Sequence, residues 1–154
     1  MSTPRRPVEP EQQVQEDLLR LEAYRNQLNA LLQQHQILTS SRSDHLRARE
    51  SLEGIDRAEP GTELLVPLGG ETLVRGSISK DGPVLIGVGS GVIVEMERPK
   101  AVELLAERLT RIDQAIGEIE GQVGSLEERI QMLSRRLDSL TARGPGGPSD
   151  VGSD

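Results

Sequence analysis

The C-terminal half of the chain carries an uninterrupted heptad repeat, which constrains the fold more than any other feature of the sequence. Aliphatic residues there follow one another at alternating intervals of three and four residues. The a positions are Val102, Leu109, Ile116, Val123, Ile130 and Leu137, and the d positions are Leu105, Ile112, Ile119, Leu126, Leu133 and Leu140. A helix with this spacing places its apolar side chains on one narrow stripe, which packs against another helix. Pro99 suits a first turn and Gly144 an end, so the helix is predicted over residues 99–143.

The N-terminal part of the chain predicts a partner helix over residues 10–54, with Pro10 in its first turn and Gly54 at its end. Its apolar stripe is less regular, because Arg25 interrupts it and two successive steps of three residues follow. Two such steps in a row form a stammer, which overwinds a coiled coil locally. The predicted stripe runs through Val14, Leu18, Leu21, Leu28, Leu31, His35, Leu38, His45 and Leu52. Because a parallel homodimer would tolerate Arg25 and His35 poorly, the expected pairing is antiparallel and within one chain.

Residues 62–97 change to the spacing and composition of two β-hairpins. Strands are predicted over residues 64–68, 72–78, 84–88 and 92–96, with turns at Gly69–Gly70 and Gly89–Gly91. Two such short hairpins do not form a stable core alone, so they are predicted to meet hairpins of other subunits. The residues predicted to form this assembly surface are Leu64, Val66, Leu68, Val74, Val84, Ile86, Val88, Val92 and Val94.

Composition agrees with an α+β chain of thin layers, because Phe, Trp and Cys are absent and Tyr24 is the only aromatic residue. The net charge is −7, and no basic block predicts a nucleic-acid surface. No apolar run approaches the roughly 20 residues that span a bilayer, so no membrane segment is expected. The N-terminus lacks the apolar stretch of a signal peptide, and a cytoplasmic location is expected. Residues 1–9 and 144–154 are predicted to be disordered tails.

Three kinds of chemistry are not expected from this sequence. His35 and His45 do not have the i, i+4 spacing of a metal pair, and no cysteine could join them. The glycines of 87–91 superficially resemble a phosphate loop, but a strand is predicted to follow them and no Walker lysine is present. No nucleophile, base and orienting group can be assembled from the pattern. The sequence therefore predicts neither an enzyme nor a metal or cofactor.

The order of helix, two hairpins and helix resembles the prefoldin family. The stretches Leu65-Val66-Pro67-Leu68-Gly69-Gly70 and Val84-Leu85-Ile86-Gly87-Val88-Gly89-Ser90-Gly91-Val92-Ile93-Val94-Glu95 are similar to those of archaeal alpha subunits. The resemblance implies an antiparallel coiled coil attached to an oligomeric β-barrel of hairpins, in a hexamer of two alpha and four beta subunits. One departure is Leu73, where an aromatic residue is common in the family.

The resemblance also implies an ATP-independent chaperone that binds unfolded proteins at its coiled-coil tips and passes them to a group II chaperonin. The residues that this places at the tip are Val14, Leu18, Leu21, Met132, Leu133, Leu137 and Leu140. One alternative is a coiled-coil scaffold subunit without chaperone activity. Another is a helical arm that binds nucleic acid, but both predicted helices contain more acidic than basic residues and so provide no basic stripe.

Overall fold

A computed structural model of the protein describes residues 9–143. The elements are α1 (Pro10–Arg57), β1 (Glu63–Gly69), β2 (Thr72–Ser77), β3 (Val84–Gly89), β4 (Val92–Met96) and α2 (Arg98–Ala142). The predicted α+β class, with two long helices and two antiparallel hairpins between them, is confirmed. The tails predicted for residues 1–9 and 144–154 lie, apart from Glu9, outside the described residues.

The first helix begins at Pro10, and the second begins at Arg98, one residue before Pro99. The amide of Gln13 donates to the carbonyl of Glu9 at 3.2 Å, so Pro10 occupies the first turn, where a missing N–H costs nothing. The amide of Ala101 donates to the carbonyl of Glu97 at 3.0 Å, and Pro99 lies in the first turn of α2 in the same way.

The first helix continues past Gly54 to Arg57. Its last turn is held from outside: Nε of Arg98 lies 3.1 Å from Oδ1 of Asp56. Lys80 Nζ donates to the carbonyl of Asp56 at 3.0 Å. Gly54 keeps an ordinary helical φ and does not act as a left-handed cap, so the helix continues past it.

The described residues form two compact units, which we treat separately. The terminal unit comprises residues 9–36 and 117–143, and the central unit comprises residues 37–116. In the terminal unit, Asp17 contacts Arg136 at 3.2 Å and His35 contacts Glu120 at 3.1 Å. As residue numbers increase along α1, the numbers of the residues contacted on α2 decrease, so the two helices run antiparallel there.

The central unit has the same helix orientation together with both hairpins. Nε of Arg42 donates to Oδ1 of Asp113 at 2.6 Å, and Asp56 meets Arg98 closer to the hairpins. Arg108 donates from Nη2 to the carbonyl of Gly87 at 2.6 Å, which ties β3 to α2. The hairpins are two separate two-stranded sheets, so neither borrows a strand from the other within the chain.

The heptad stripe predicted for α2 agrees with its burial, since every a and d position is buried or half-buried. The stripe predicted for α1 was partly wrong. Leu18 and Arg25 are exposed, whereas the preceding residues Asp17 and Tyr24 face inward. The inward positions of α1 are Val14, Asp17, Leu21, Tyr24, Leu28, Leu31, His35, Leu38, Arg42, His45, Arg49 and Leu52.

This corrected stripe alternates intervals of three and four residues throughout, so α1 contains no stammer. The physical reason lies in its partner. Two helices that supercoil around each other must share one period, and α2 has a regular heptad repeat. The first helix keeps that period by placing polar residues on the stripe where the sequence has no aliphatic residue to offer.

The two hairpins share one turn geometry. The turn residues are Gly70 and Glu71, with φ of 54° and 59°, and Ser90 and Gly91, with φ of 50° and 76°. Positive φ at both central residues is typical of the type I′ turn of tight hairpins. Each turn follows a register shift, between Pro67 and Gly69 and between Gly87 and Gly89. The first turn therefore lies one position beyond the predicted Gly69–Gly70, because the bulge absorbs the extra residue Leu68.

Replacing Gly89 by alanine is expected to destabilise the β3–β4 hairpin by about 1–3 kcal/mol, because its φ of 115° is strained for any residue with a Cβ. Gly87 is a matched control, since a Cβ would meet nothing within 4 Å at either glycine and Gly87 has an ordinary φ. Hydrogen-exchange mass spectrometry should show faster exchange of the hairpin amides in Gly89→Ala alone. Equal rates in both variants would contradict a strained turn.

Candidate functional site: the hairpins and the paired helix ends

The first hairpin exposes aliphatic side chains on both faces. Val66 and Val74 are cross-strand partners on one face, where Leu64 also lies half-buried over Gly76. Leu65 and Leu73 lie on the opposite face and are exposed as well. Leu68, at the bulge, is exposed beside the turn. Three of the four residues predicted for this hairpin are thus exposed and Leu64 is half-buried, while Leu65 and Leu73 on the other face were not predicted.

The second hairpin has one covered and one open face. Ile86 is only 8% exposed, and its partner Val94 is half-buried on the same face, as is Val84. This face is therefore already covered within the chain. Leu85 and Ile93, on the opposite face, are 66% and 65% exposed. The predicted residues Val88 and Val92, next to the turn, are exposed too.

Backbone geometry adds to this surface, because each hairpin is an isolated pair of strands. Within residues 9–143, the outer edges of both hairpins pair with no further strand. Unpaired strand edges bordered by exposed aliphatic residues are a template for pairing with another chain. The hairpins therefore have the two properties of an assembly surface, namely free edges and apolar area.

The paired ends of α1 and α2 form the second candidate site. Leu21, Leu133 and Leu137 make a buried cluster there, with Val14, Tyr24 and Ile130 packed against it. Leu140 is half-buried and lines a groove with Pro10 and Val14. Most of the residues predicted for the tip therefore belong to this buried cluster or pack against it. A ligand at this end would contact their edges only.

Two of the predicted tip residues, Leu18 and Met132, are exposed. Leu18 is exposed on one side of the helix pair, and Met132 is 69% exposed on the other side. Leu19, which the sequence analysis missed, is exposed as well. The sequence could have indicated this exposure, because Leu19 falls outside the apolar stripe of α1 and therefore does not face the core. These three side chains give the helix ends an apolar surface outside the cluster.

Asp17 is a feature of this site that the sequence pattern does not indicate. It is only 3% exposed, and its Oδ2 lies 3.2 Å from Nε of Arg136. A buried carboxylate keeps its charge at low cost only when a cation compensates it, so this ion pair accounts for an acid among leucines. The pair joins α1 to α2 within the terminal unit.

The histidines take part in local contacts of the helices. Nε2 of His35 lies 3.1 Å from Oε1 of Glu120, and Nδ1 of His45 lies 2.7 Å from the carbonyl of Ser41. Within residues 9–143, no three side chains of His, Asp or Glu converge in a way that could hold a metal ion. Gly89–Gly91 forms the hairpin turn that the sequence predicted, with β4 and not a helix after it. In the same range of residues, neither helix has a stretch long and apolar enough to cross a membrane.

Comparison with known proteins gives consistent matches in sequence and in fold. The model of the prefoldin subunit family matches residues 24–143. The prefoldin subunit alpha of Methanopyrus kandleri is 31% identical over 114 residues, which cover 71% of this chain and 73% of that protein.

Two solved structures share the fold. A chain of the filamentous prefoldin from Methanocaldococcus jannaschii, determined by cryo-EM, superposes with a TM-score of 0.64 at 20% identity. The match covers 79% of this chain and 98% of that one. The crystal structure of the prefoldin beta subunit from Thermococcus strain KS-1 gives a TM-score of 0.57 at 23% identity, over 86% and 95% of the two chains.

Proposed function

This chain belongs to the prefoldin family, among its alpha subunits, and we propose that it holds unfolded proteins at the paired ends of its helices without using ATP. The observation that carries the proposal is the exposed apolar surface of Leu18, Leu19 and Met132 around the cluster at those ends. Unfolded chains expose apolar side chains that a folded protein buries, and contact with such a surface removes them from water. Holding a chain in this way requires no catalytic group and no cofactor.

Assembly is the second part of the proposal. The hairpins would join beta subunits through their free edges and through Leu65, Leu73, Leu85 and Ile93, in a hexamer of two alpha and four beta subunits. Several helix pairs in one complex would then contact one client. Because each contact after the first is intramolecular, weak individual contacts would add up to firm binding. In this proposal the complex is located in the cytoplasm and transfers the client to a group II chaperonin.

A triple substitution of exposed residues tests the proposed site. Leu18→Ser, Leu19→Ser and Met132→Ser together remove the accessible apolar surface while leaving the buried cluster in place. The assembled complex should then need about tenfold more protein to suppress aggregation of a chemically denatured test protein without ATP, by light scattering. Complete loss is expected only when the beta subunits are changed as well.

The control is a pair of exposed aliphatic residues elsewhere on α1, Leu32→Ser and Ile37→Ser, which should not alter suppression. A second variant lacks residues 1–21 and 133–154, so that the whole cluster is removed. If that complex assembles with its normal mass and suppresses aggregation at full strength, the helix ends are not the binding site. If the unmodified complex assembles but never suppresses aggregation, the chain is a scaffold subunit.

A further inference from the structure

One side of the paired helix ends carries a groove rich in arginine. Its lining residues, which we call the arginine groove, are Arg20, Tyr24, Arg129, Met132, Leu133 and Arg136. The floor is apolar, because Tyr24 packs against the leucine cluster and Leu133 belongs to it. All three arginines are exposed, and Met132 stands between them as an accessible apolar side chain. The groove thus offers cations around an apolar contact.

The position of these arginines in the heptads makes them unusual. Each directly precedes an inward-facing residue, namely Leu21, Ile130 and Leu137. Such positions border the stripe on one side, and in an antiparallel pair those of the two helices face each other. Charges of opposite sign at neighbouring positions stabilise helices and like charges destabilise them. A row of arginines at these positions therefore disfavours pairing of the two helices unless a negatively charged group compensates it.

Compensation by residues 9–143 is incomplete. Arg136 has the buried carboxylate of Asp17 at 3.2 Å. Arg20 and Arg129 take part in none of the ion pairs formed by residues 9–143. On the other side of the same helix ends, the groove contains a single arginine, Arg25, and the acidic residue Asp138. The arginine groove therefore contains two arginines outside these ion pairs, whereas the opposite groove contains one arginine together with an acidic residue.

This excess is local, because the chain as a whole carries a net charge of −7. The net charge of each helix does not describe this groove, where three arginines lie together. An acidic polypeptide is repelled by the chain at long range. Screening limits such fields to about 8–10 Å at physiological salt, so a segment in contact with the groove is affected mainly by the nearby charges of Arg20 and Arg129.

We propose that the arginine groove binds segments of unfolded clients in which acidic and apolar residues lie side by side. This inference rests on the proposed function and specifies which clients the helix ends accept. An apolar side chain of the client covers Met132 and Tyr24. The carboxylates of the client segment pair with Arg20 and Arg129, whose planar guanidinium groups can donate two hydrogen bonds to one carboxylate. Arg136 stays with Asp17, so binding leaves the ion pair between the helices intact.

The test compares two double variants with the same change in net charge. Arg20→Gln with Arg129→Gln neutralises the groove. Arg25→Gln with Arg135→Gln removes two exposed arginines of the same unit outside it. The probes are a fluorescein-labelled peptide in which Glu alternates with Leu, and a matched peptide with Gln in place of Glu. Binding to the assembled complex is measured by fluorescence anisotropy.

The groove variant should bind the Glu peptide about 3- to 10-fold more weakly than the unmodified complex, as expected for the loss of two exposed charge pairs. Its affinity for the Gln peptide should be unchanged, and the control variant should bind both peptides normally. Added salt should reduce the affinity of the unmodified complex for the Glu peptide and affect the groove variant less.

Four outcomes would overturn the inference. The Gln peptide could bind normally while the groove variant and the unmodified complex bind the Glu peptide equally well. That result would overturn the inference and leave the proposed function standing. Binding of neither peptide would overturn both. Tighter Glu-peptide binding after deletion of residues 144–154 would identify the chain's own acidic tail as the occupant. A single-stranded oligonucleotide that binds with the same dependence on the two arginines would make the groove a phosphate site.

Discussion

Replacing Ile119 by alanine is expected to lower the free energy of unfolding by about 2–5 kcal/mol, the usual range for removing most of a well-buried aliphatic side chain. Ile119 is 5% exposed on the stripe of α2, and the neighbouring Glu120 contacts His35 of α1. A pair of helices has no second layer that could move into the gap. Urea unfolding of the isolated subunit, followed by circular dichroism, measures the change.

Ile37→Ala is the matched control, because Ile37 lies in the other helix and is 70% exposed. It should change stability by no more than about 0.5 kcal/mol. The sequence contains no cysteine, so single cysteines introduced at positions 35 and 120 can be joined specifically by a short bifunctional maleimide. Cross-links within one chain support the antiparallel pair. Cross-links only between chains, or equal effects of the two alanine variants, would contradict it.

The two helices differ in how far their packing could be predicted from sequence. The stripe of α2 is aliphatic at every position, so spacing alone identifies it. In α1, the adjacent leucines at 18 and 19 and the acid at 17 compete for one inward position. Choosing the leucine broke the period and produced a stammer that does not exist. Only the requirement that both helices share one period selects Asp17, and its charge is acceptable there because Arg136 lies across the interface.

The hairpins illustrate another limit of sequence patterns. Alternation assigns Leu85 and Ile86 to opposite faces, but both faces of this hairpin are apolar. Nothing in the pattern indicates which face the chain itself covers. The structure covers the face of Ile86 and leaves that of Leu85 open. Arg108 ties β3 to α2 through the carbonyl of Gly87. Assembly residues were therefore assigned to a face whose central side chain is already buried within the subunit.

This distinction determines which substitution tests assembly. Ile93→Asp, combined with Leu85→Asp, places two carboxylates on the open face of the second hairpin. Burying an unpaired polar group costs about 1–3 kcal/mol by mutational measures, and a charge costs more. The association of the subunits should therefore weaken by at least about 100-fold. Native mass spectrometry or analytical ultracentrifugation should show species smaller than the hexamer, while circular dichroism shows that the helices remain.

The contrasting variant is Ile86→Asp, whose charge would enter the packing of the subunit itself. It should lower the stability of the isolated chain as well as its assembly, whereas the Leu85 and Ile93 variant should leave the isolated chain as stable as before. Leu19→Asp, an equivalent change of an exposed leucine in the terminal unit, should affect neither property. A full-mass hexamer formed by the double variant would show that this face is not an interface. The hairpins would then have to join other subunits through their strand edges and the first hairpin alone.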